Sequence, residues 1–447
     1  MNSYPRRCLH IEHIGLFFKS TQKMKTLLFF FSLFLLIRPP LEGQSLNVKL
    51  KAHSAILMNP DTGAILYEKK AHEPHYPAST MKIATALFVL DQERFGLEAP
   101  FLSSKEALEM MNAEVKQAAP SEYPPFILEH DGVVMGLKEG DVLPLNVLLH
   151  NMLLQSSNDA ANVIAENHSG SIDAFINELN AYLAKRGLKH TQFLNPHGLH
   201  HPEQVTTAYE MAKIASWAFQ NETFSQVTRR TEFSWTSPTS QKSRAIRNVN
   251  RLMKKGKYNY PRSIGGKTGY IASAGYNYVT GAEHEGRRLI AVLFGCPDRV
   301  SRYEDAIALF EAAFRERTQV RRLFSKDHPP FIREIPDGKS VLTAALGDHV
   351  DYSYYPSEER ELSAKLLWRD LELPIRAGRE VGSIVVSDTE DRLVYAAPLF
   401  ATSAVEGRIS SFYWLKSRKN RRIIFSLFAF VLLGMGLKRK KKRGKRI

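Results

Sequence analysis

The chain has 447 residues, enough for two or three domains with a sizeable core. Its formal charge of +15 would suit a nucleic-acid or membrane partner, but the charge lies at the two ends. Residues 1–43 carry six Lys or Arg and two Glu, and residues 416–447 carry thirteen Lys or Arg and no acid, which leaves a body with a net charge of −2. A near-neutral body lacks the basic face that phosphate backbones require, so nucleic acid is excluded as a partner.

The N-terminal end has the pattern of a secretory signal. Lys25 is followed by twelve mainly apolar residues at 26–37, then by Arg38 and two prolines. Twelve residues are too few for a permanent membrane span, which needs about 20. We therefore expect residues 1–43 to be a signal peptide region, with cleavage after Gly43, and the rest of the chain to be exported. Only Cys296 then remains, so the stability of the body depends on its core rather than on a disulfide.

The C-terminal end predicts a membrane anchor at 423–437, where the chain is apolar or small throughout. Basic residues flank this segment on both sides, and the basic tail at 438–447 follows it. An interfacial helix should show one polar face, and this segment shows none, which favours a spanning helix with a cytoplasmic tail. We expect the body to lie at the outer face of the cytoplasmic membrane, on the periplasmic side.

The body from 45 to 320 begins with a predicted hairpin at 55–67, which turns at Asp61-Thr62-Gly63. Residues 277–295 predict a second hairpin, with its turn at Glu285-Gly286. Helical periodicity fills most of the sequence between and after them, at 80–93, 144–154, 159–168, 172–186, 206–218 and 303–315. Strands near both ends with helices between them predict an α+β domain whose antiparallel sheet is assembled from its two termini.

The pattern changes after the two prolines at 329 and 330. Short alternating runs at 339–346, 363–368, 381–387 and 393–397 are separated by Gly, Pro and Asp turns. This pattern predicts a small all-β domain or spacer at 325–410, between the α+β domain and the anchor.

The first segment that carries chemistry is Ser79-Thr80-Met81-Lys82, at the start of a helical run. Side chains three residues apart lie on one helix face, so Ser79 and Lys82 can act together. A serine hydroxyl needs a base at neutral pH, and a buried lysine with a lowered pKa can be that base. The Ser79 N–H also lies in the first helical turn, where its unpaired donor can hold an oxyanion.

The second segment is Ser156-Ser157-Asn158, at the junction of two predicted helices. Its first hydroxyl can relay a proton, and the Asn158 amide can hold a substrate peptide by two hydrogen bonds. The same residues would also serve as an ordinary N-cap for the helix that begins near Asp159, and alone they favour that simpler interpretation.

The third segment is Gly265-Gly266-Lys267-Thr268-Gly269, on a predicted edge strand. The glycines would let a substrate backbone approach, while Lys267 and Thr268 would bind a terminal carboxylate. A phosphate-binding loop is excluded because Pro261 occupies the place of its first glycine and a strand follows instead of a helix.

Together and in this order, the three segments resemble the active site of the penicillin-recognising serine hydrolases. The similarity extends to the low-molecular-mass penicillin-binding proteins, the D-alanyl-D-alanine carboxypeptidases of peptidase S11 type. It covers roughly residues 45–400, with similar stretches at 55–67, 193–199, 207–212 and 274–277. The resemblance implies a β-lactamase/transpeptidase-like catalytic domain with helices packed on an antiparallel sheet, followed by the small β-domain.

The resemblance also implies a role for each residue. Ser79 would attack the carbonyl between two D-alanines of a peptidoglycan stem, with Lys82 as base and Ser156 passing a proton to the leaving D-alanine. The oxyanion hole would be the backbone N–H groups of Ser79 and Tyr270, where some relatives carry His. The implied substrate-binding residues are Asn158, Lys267, Thr268, Gly269, Tyr270 and Arg302.

The sequence leaves three alternatives: a D,D-endopeptidase of cross-links, a class A-like β-lactamase, and a non-catalytic wall scaffold. A β-lactamase needs a glutamate over the deacylating water, and no Glu-x-x-Leu-Asn segment is present, so β-lactam antibiotics should act as slowly released acylating inhibitors. We expect no cofactor and no metal, because the histidines at 72, 75, 197, 200 and 201 lack helical ligand spacing.

Overall fold

The structure is a computed structural model that describes residues 34–36, 45–236, 242–389 and 391–408. The predicted anchor at 423–437 and the basic tail at 438–447 lie outside these residues, as does most of the predicted signal region at 1–43. Among the described residues, no helix combines the length and apolar character needed to cross a bilayer.

The helices of the described residues are α1 Lys82–Gln92, α2 Ala113–Ala118, α3 Leu145–His150, α4 Asn158–Ser169, α5 Ile172–Lys185, α6 Ala208–Gln220, α7 Glu222–Arg229 and α8 Ser301–Phe314. The strands are β1 Phe34–Leu36, β2 Ser54–Met58, β3 Ile65–Lys69, β4 Pro100–Leu102, β5 Met110–Met111, β6 Leu128–Glu129, β7 Val142–Pro144, β8 Glu232–Thr236, β9 Ser243–Arg247, β10 Ser263–Ile271, β11 Gly275–His284, β12 Arg287–Cys296, β13 Gln319–Phe324, β14 Phe331–Arg333, β15 Leu342–Leu346, β16 Val350–Tyr354, β17 Leu362–Trp368, β18 Glu380–Asp388 and β19 Leu393–Ala401.

A five-stranded antiparallel sheet in the order β10-β11-β12-β2-β3 organises the first part of the chain. The N-terminal hairpin joins the sheet where β2 pairs with β12, with Ile56 opposite Val292. The sheet is therefore built from both ends of this part of the chain, as the sequence predicts. Strand β10 lies at the edge, which confirms the position predicted for the Lys267 segment.

Helices cover both faces of this sheet because successive side chains of a strand point in opposite directions. Ile56 and its same-face neighbours pack into the larger core with α1, α3, α4, α5 and α6. Leu57 points the other way, into a smaller core with α8. Within α1, Ile83 and Leu87 are both buried in the larger core. The predicted α+β arrangement of helices on an antiparallel sheet is confirmed.

The second part of the chain is all β, as its alternating pattern predicts. A six-stranded sheet in the order β1-β17-β18-β19-β15-β14 and the pair β13-β16 surround a core of their own, centred on residues such as Leu342, Val381 and Leu399. Its edge strand β1 comes from the predicted signal region and pairs antiparallel with β17.

A buried charge network joins the two parts. The Arg287 guanidinium donates to Glu358 over 2.7 Å and to Glu316 over 3.0 Å, and it lies 3.7 Å from the Tyr355 ring centroid. Asn59 also donates to Glu358, over 2.8 Å. A cleft of about 670 Å³ opens beside this network, and none of the predicted site residues lines it.

Sequence periodicity does not predict the small two-stranded sheets that lie outside the two main sheets. Strands β4 and β7, β5 and β6, and β8 and β9 form three separate two-stranded sheets. Each strand has only two to five residues, too few for an alternating pattern to stand out.

Candidate active site

Ser79 lies in a single 3-10 turn, Ala78–Met81, and α1 begins directly after it at Lys82. The sequence predicts an α-helical pair, but the tighter turn nearly eclipses side chains three residues apart. The Lys82 Nζ is 3.0 Å from the Ser79 Oγ, so the predicted pairing of the two side chains is present. Ala78 has a φ of +48°, a left-handed conformation that costs free energy in a residue with a side chain.

The Lys82 amine is fully buried among carbonyl oxygens. It donates hydrogen bonds to the Asn158 Oδ1 over 2.6 Å and to the His197 carbonyl over 2.5 Å. Burial, and then the positive charge of Lys267, lower the pKa of Lys82 well below its ordinary value, against the opposing charge of Asp159. A neutral amine has two N–H donors, which the two carbonyls occupy, so its lone pair remains for the Ser79 hydroxyl.

Ser156 ends a π-helical turn at Asn151–Gln155 and has a φ of +76°. Its N–H bonds back to the Asn151 carbonyl, and its Oγ accepts a hydrogen bond from the Lys267 Nζ over 2.9 Å. Ser157 occupies the N-cap position of α4 but makes no side-chain capping bond there. The site interpretation of this segment, which brings Ser156 and Asn158 to one cleft, therefore fits the contacts better than the N-cap interpretation.

Lys267 is the cation of the edge strand β10. It is buried, and its Nζ also donates to the Thr268 carbonyl over 2.8 Å. Burial, followed by the positive charge of Arg302, lowers the pKa of Lys267 to about 7. An approaching carboxylate would raise this pKa again and hold the lysine in its charged form.

The glycines of this strand do not act as the sequence suggests. A Cβ on Gly266 would lie 2.2 Å from the Val279 carbonyl oxygen, and one on Gly265 would lie 2.6 Å from the Thr228 carbonyl oxygen. These two residues are glycine because neighbouring protein backbone crowds them, not because substrate approaches. A Cβ on Gly269 would lie 3.0 Å from the Ser79 nitrogen, so this glycine lets β10 pack against the serine turn.

Thr268 and Tyr270 lie on either side of Gly269. The Thr268 side chain is nearly buried, whereas Tyr270 is 54% exposed and its ring lies 4.4 Å from that of Tyr276. The close packing of Gly269 on Ser79 brings the backbone of both segments together, as an oxyanion hole made from Ser79 and Tyr270 would need. That the N–H groups of Ser79 and Tyr270 form an oxyanion hole remains a prediction.

Arg302 lies behind the strand rather than in the cleft. Its guanidinium donates to the Gly269 carbonyl over 3.2 Å and to the Asn277 carbonyl over 3.4 Å, and it lies 5.5 Å from the Tyr276 ring centroid. These contacts favour a role in supporting β10 and lowering the pKa of Lys267 over direct contact with a substrate carboxylate.

Three supporting residues carry no local sequence signal beyond the resemblance. Asn277 donates to the carbonyls of Tyr76 and Pro77 over 2.8 and 3.1 Å, which fixes the chain ahead of Ser79. Gly198 has a φ of +90°, and a Cβ there would lie 2.1 Å from the Ala78 carbonyl oxygen. His197 supplies the backbone carbonyl that Lys82 contacts.

The histidines bond to protein groups. The His197 ring lies 3.1 Å from the Phe126 carbonyl, and burial together with Lys116 and Lys82 lowers its pKa. The His75 ring lies 3.0 Å from the Ala274 carbonyl. Among the described residues, no three His, Cys, Asp or Glu side chains are arranged to hold a metal ion.

Comparison with known proteins agrees with this geometry. The family model described as D-alanyl-D-alanine carboxypeptidase, peptidase S11, matches residues 42–298. Because the match covers more than half of the chain, the protein belongs to this family, and it is a serine-type D-alanyl-D-alanine carboxypeptidase.

Curated relatives carry the same description. The chain is 27% identical over 342 residues to D-alanyl-D-alanine carboxypeptidase DacF of Bacillus subtilis, covering 75% of this chain and 81% of the relative. It is 30% identical over 268 residues to DacB2 of Mycobacterium tuberculosis, covering 59% and 82%. The solved structure of DacD from Francisella tularensis has a TM-score of 0.56 at 22% identity, covers 84% of this chain and 97% of that one, and supports the fold alone.

Proposed function

We propose that the enzyme removes the terminal D-alanine from peptidoglycan stems through an acyl-enzyme on Ser79. The single observation that supports this assignment best is the environment of Lys82, whose Nζ donates to Asn158 and His197 and lies 3.0 Å from the Ser79 Oγ. A neutral amine so placed takes the hydroxyl proton as the oxygen attacks the carbonyl between the two D-alanines.

The proton then moves to the leaving group. The C–N bond breaks as an ester forms at Ser79, and the departing amine takes up a proton through the Ser156 hydroxyl, which the Lys267 ammonium holds at 2.9 Å. Water then hydrolyses the ester, which releases the shortened stem and restores the serine hydroxyl.

The remaining site residues position the peptide. Asn158 would bond its backbone, and Lys267 and Thr268 would bind the terminal carboxylate. The N–H groups of Ser79 and Tyr270 would hold the oxyanion, an interaction worth about 3 kcal/mol per donor in other hydrolases. Gly269 keeps the two N–H groups close.

We propose that β-lactams acylate the same serine and leave slowly. Asp159 is a carboxylate near Lys82, but it accepts hydrogen bonds from the backbone N–H groups of Met135, Gly136 and Leu137 over 2.9 to 3.1 Å. A carboxylate occupied in this way is poorly placed to activate a deacylating water. This environment supports penicillin binding over a class A-like β-lactamase activity.

The proposed organisation is a catalytic domain at 45–320 and a β-domain or spacer at 325–410, each with its own core. The sequence supports export through the signal region at 1–43 and membrane attachment through 423–437. The spacer would then hold the active site away from the outer face of the cytoplasmic membrane.

The test is release of D-alanine from diacetyl-L-Lys-D-Ala-D-Ala by the purified protein. Ser79→Ala should abolish release. The control Ser225→Ala, which removes an α7 hydroxyl bonded to the Phe219 carbonyl at the end of α6, should retain it. Undiminished release by Ser79→Ala would refute the assignment.

A further inference from the structure

Four basic side chains form a group beside the active-site segments. We call Arg247, Arg251, Lys254 and Arg299 the basic cluster; Arg247 and Arg299 are exposed, and the other two are partly buried. Among the residues that the structure describes, no carboxylate oxygen lies within 4.0 Å of their side-chain nitrogens. Asp298, the acid adjacent to Arg299, instead accepts bonds from the Val300 and Ser301 N–H groups.

One side of the basic cluster is tied to the segment that carries Ser156. The Gln155 side chain donates to the Arg247 carbonyl over 2.8 Å, and the Val249 N–H donates to the Leu154 carbonyl over 3.0 Å. The end of β9 therefore lies directly against the chain that leads into Ser156.

On its other side, the basic cluster is linked through the Tyr303 ring to Arg302, the residue that supports β10. The guanidinium of Arg251 lies 6.0 Å from the Tyr303 ring centroid, and that of Arg302 lies 5.0 Å from the same centroid. Arg302 donates to the Gly269 carbonyl. The basic cluster thus borders both the segment that carries Ser156 and the residues that support β10. The Ser156 Oγ itself lies 2.9 Å from the Lys267 Nζ, the group expected to bind the terminal carboxylate of the substrate.

The charges of the basic cluster act on one another. Burial, and then the positive charges of Arg247, Arg251 and Arg299, lower the pKa of Lys254. Cations held together without a counter-charge repel, and an anion between them removes that repulsion. The body of the chain has a net charge of −2, so general basicity does not account for four neighbouring cations that have no carboxylate partner within the described part of the chain.

We propose that the basic cluster binds a second carboxylate on the leaving group of the substrate, so that the enzyme releases acidic C-terminal residues faster than neutral or basic ones. The inference rests on the proposed function, because it takes Lys267 to mark the leaving-group side. The cluster acts before the C–N bond breaks, since the leaving group then departs as a free amine. Its effect therefore falls on acylation and not on hydrolysis of the ester.

The experiment compares three peptides, diacetyl-L-Lys-D-Ala-X, in which X is D-Glu, D-Ala or D-Lys. The wild-type kcat/KM should be at least about fivefold higher for D-Glu than for D-Lys at low ionic strength. This ratio should fall towards one at about 0.5 M NaCl, because partly exposed charges are screened. A ratio of one or less at low salt, with normal release of D-Ala, would overturn the inference and leave the proposed function intact. Failure to release any of the three residues would overturn both.

A double variant tests the residues themselves. Arg251→Gln with Lys254→Gln should bring the D-Glu to D-Lys ratio close to one, while the control Lys185→Gln on α5 should keep the wild-type ratio. Thermal unfolding of each variant checks that it is folded. A folded double variant with the wild-type ratio would show that other residues recognise the charge.

Discussion

Lys82 donates a hydrogen bond to the side-chain carbonyl of Asn158 over 2.6 Å, across a separation of 76 residues. This contact links the serine turn to the start of α4. It also gives the buried amine a neutral partner, so nothing at Asn158 stabilises the ammonium form by charge.

Asn158→Asp should therefore inactivate the base at neutral pH. A carboxylate at this distance favours the ammonium and raises the pKa of Lys82, so acylation near pH 7 should fall at least about 100-fold and recover as the pH rises. The rate of acylation by a fluorescent penicillin across the pH range measures this. Asn158→Ala is the control, since it loses the amide without adding charge and should be slow at every pH. A wild-type pH profile for Asn158→Asp would contradict the role given to Lys82.

Arg302→Gln should change how substrate binding depends on pH. Lys267 is charged below its pKa of about 7, so carboxylate binding is strong at low pH and weakens, with a rising KM, above that value. Without the Arg302 charge the pKa of Lys267 is higher, and the rise in KM should move to higher pH. The control Arg315→Gln, at the exposed end of α8, should leave the pH at which KM rises unchanged. The measurement is the KM for a D-Ala-D-Ala peptide as a function of pH. If KM rises at the same pH in Arg302→Gln as in the wild type, Arg302 does not control the pKa of Lys267.

Gly198→Ala should disable the serine turn. Its Cβ would lie 2.1 Å from the Ala78 carbonyl oxygen, so the turn must move and acylation should fall at least about 100-fold. Gly187→Ala is a matched control, because Gly187 has a φ of +84° against +90° but no heavy atom within 4 Å of its added Cβ. Both variants should lose about 1 kcal/mol of stability from backbone strain, and only Gly198→Ala should lose acylation. Equal acylation rates for the two variants would show that contact with Ala78 does not matter.

Glu358→Ala should loosen the junction between the two parts of the chain. It removes the partner that Arg287 contacts at 2.7 Å and leaves a buried cation with less compensation, at a cost of about 3 kcal/mol. Asp351→Ala breaks the exposed pair with Arg322 and should cost less than about 1 kcal/mol. Urea unfolding measures both. Similar small losses would mean that the buried network does not hold the junction.

The sequence predicts the main elements and the three site segments because their signals are local. Ser79 and Lys82 are three residues apart, Ser156 and Asn158 two, and periodicity alone indicates α1 and α4 near their observed positions. The turn at 285–286 likewise follows from its Glu-Gly pair, and β11 and β12 flank it as expected.

Contacts between distant segments could not be predicted in this way. Nothing near Gly198 indicates that it packs against Ala78, and nothing near Asn277 indicates that it bonds to the chain ahead of Ser79. For the same reason, the sequence does not indicate why residues 265 and 266 are glycine, because the backbone that crowds them belongs to Thr228 and Val279. Such constraints depend on tertiary packing, which single-sequence patterns do not encode.

The most direct test of the account is to locate the adduct formed with a fluorescent penicillin by peptide mass spectrometry. The Lys82 amine, with its lowered pKa beside the Ser79 hydroxyl, predicts a single adduct on Ser79, absent from Ser79→Ala and formed far more slowly in Lys82→Ala. An adduct on another residue, or labelling of Ser79→Ala at the wild-type rate, would contradict the claim that this serine is the nucleophile.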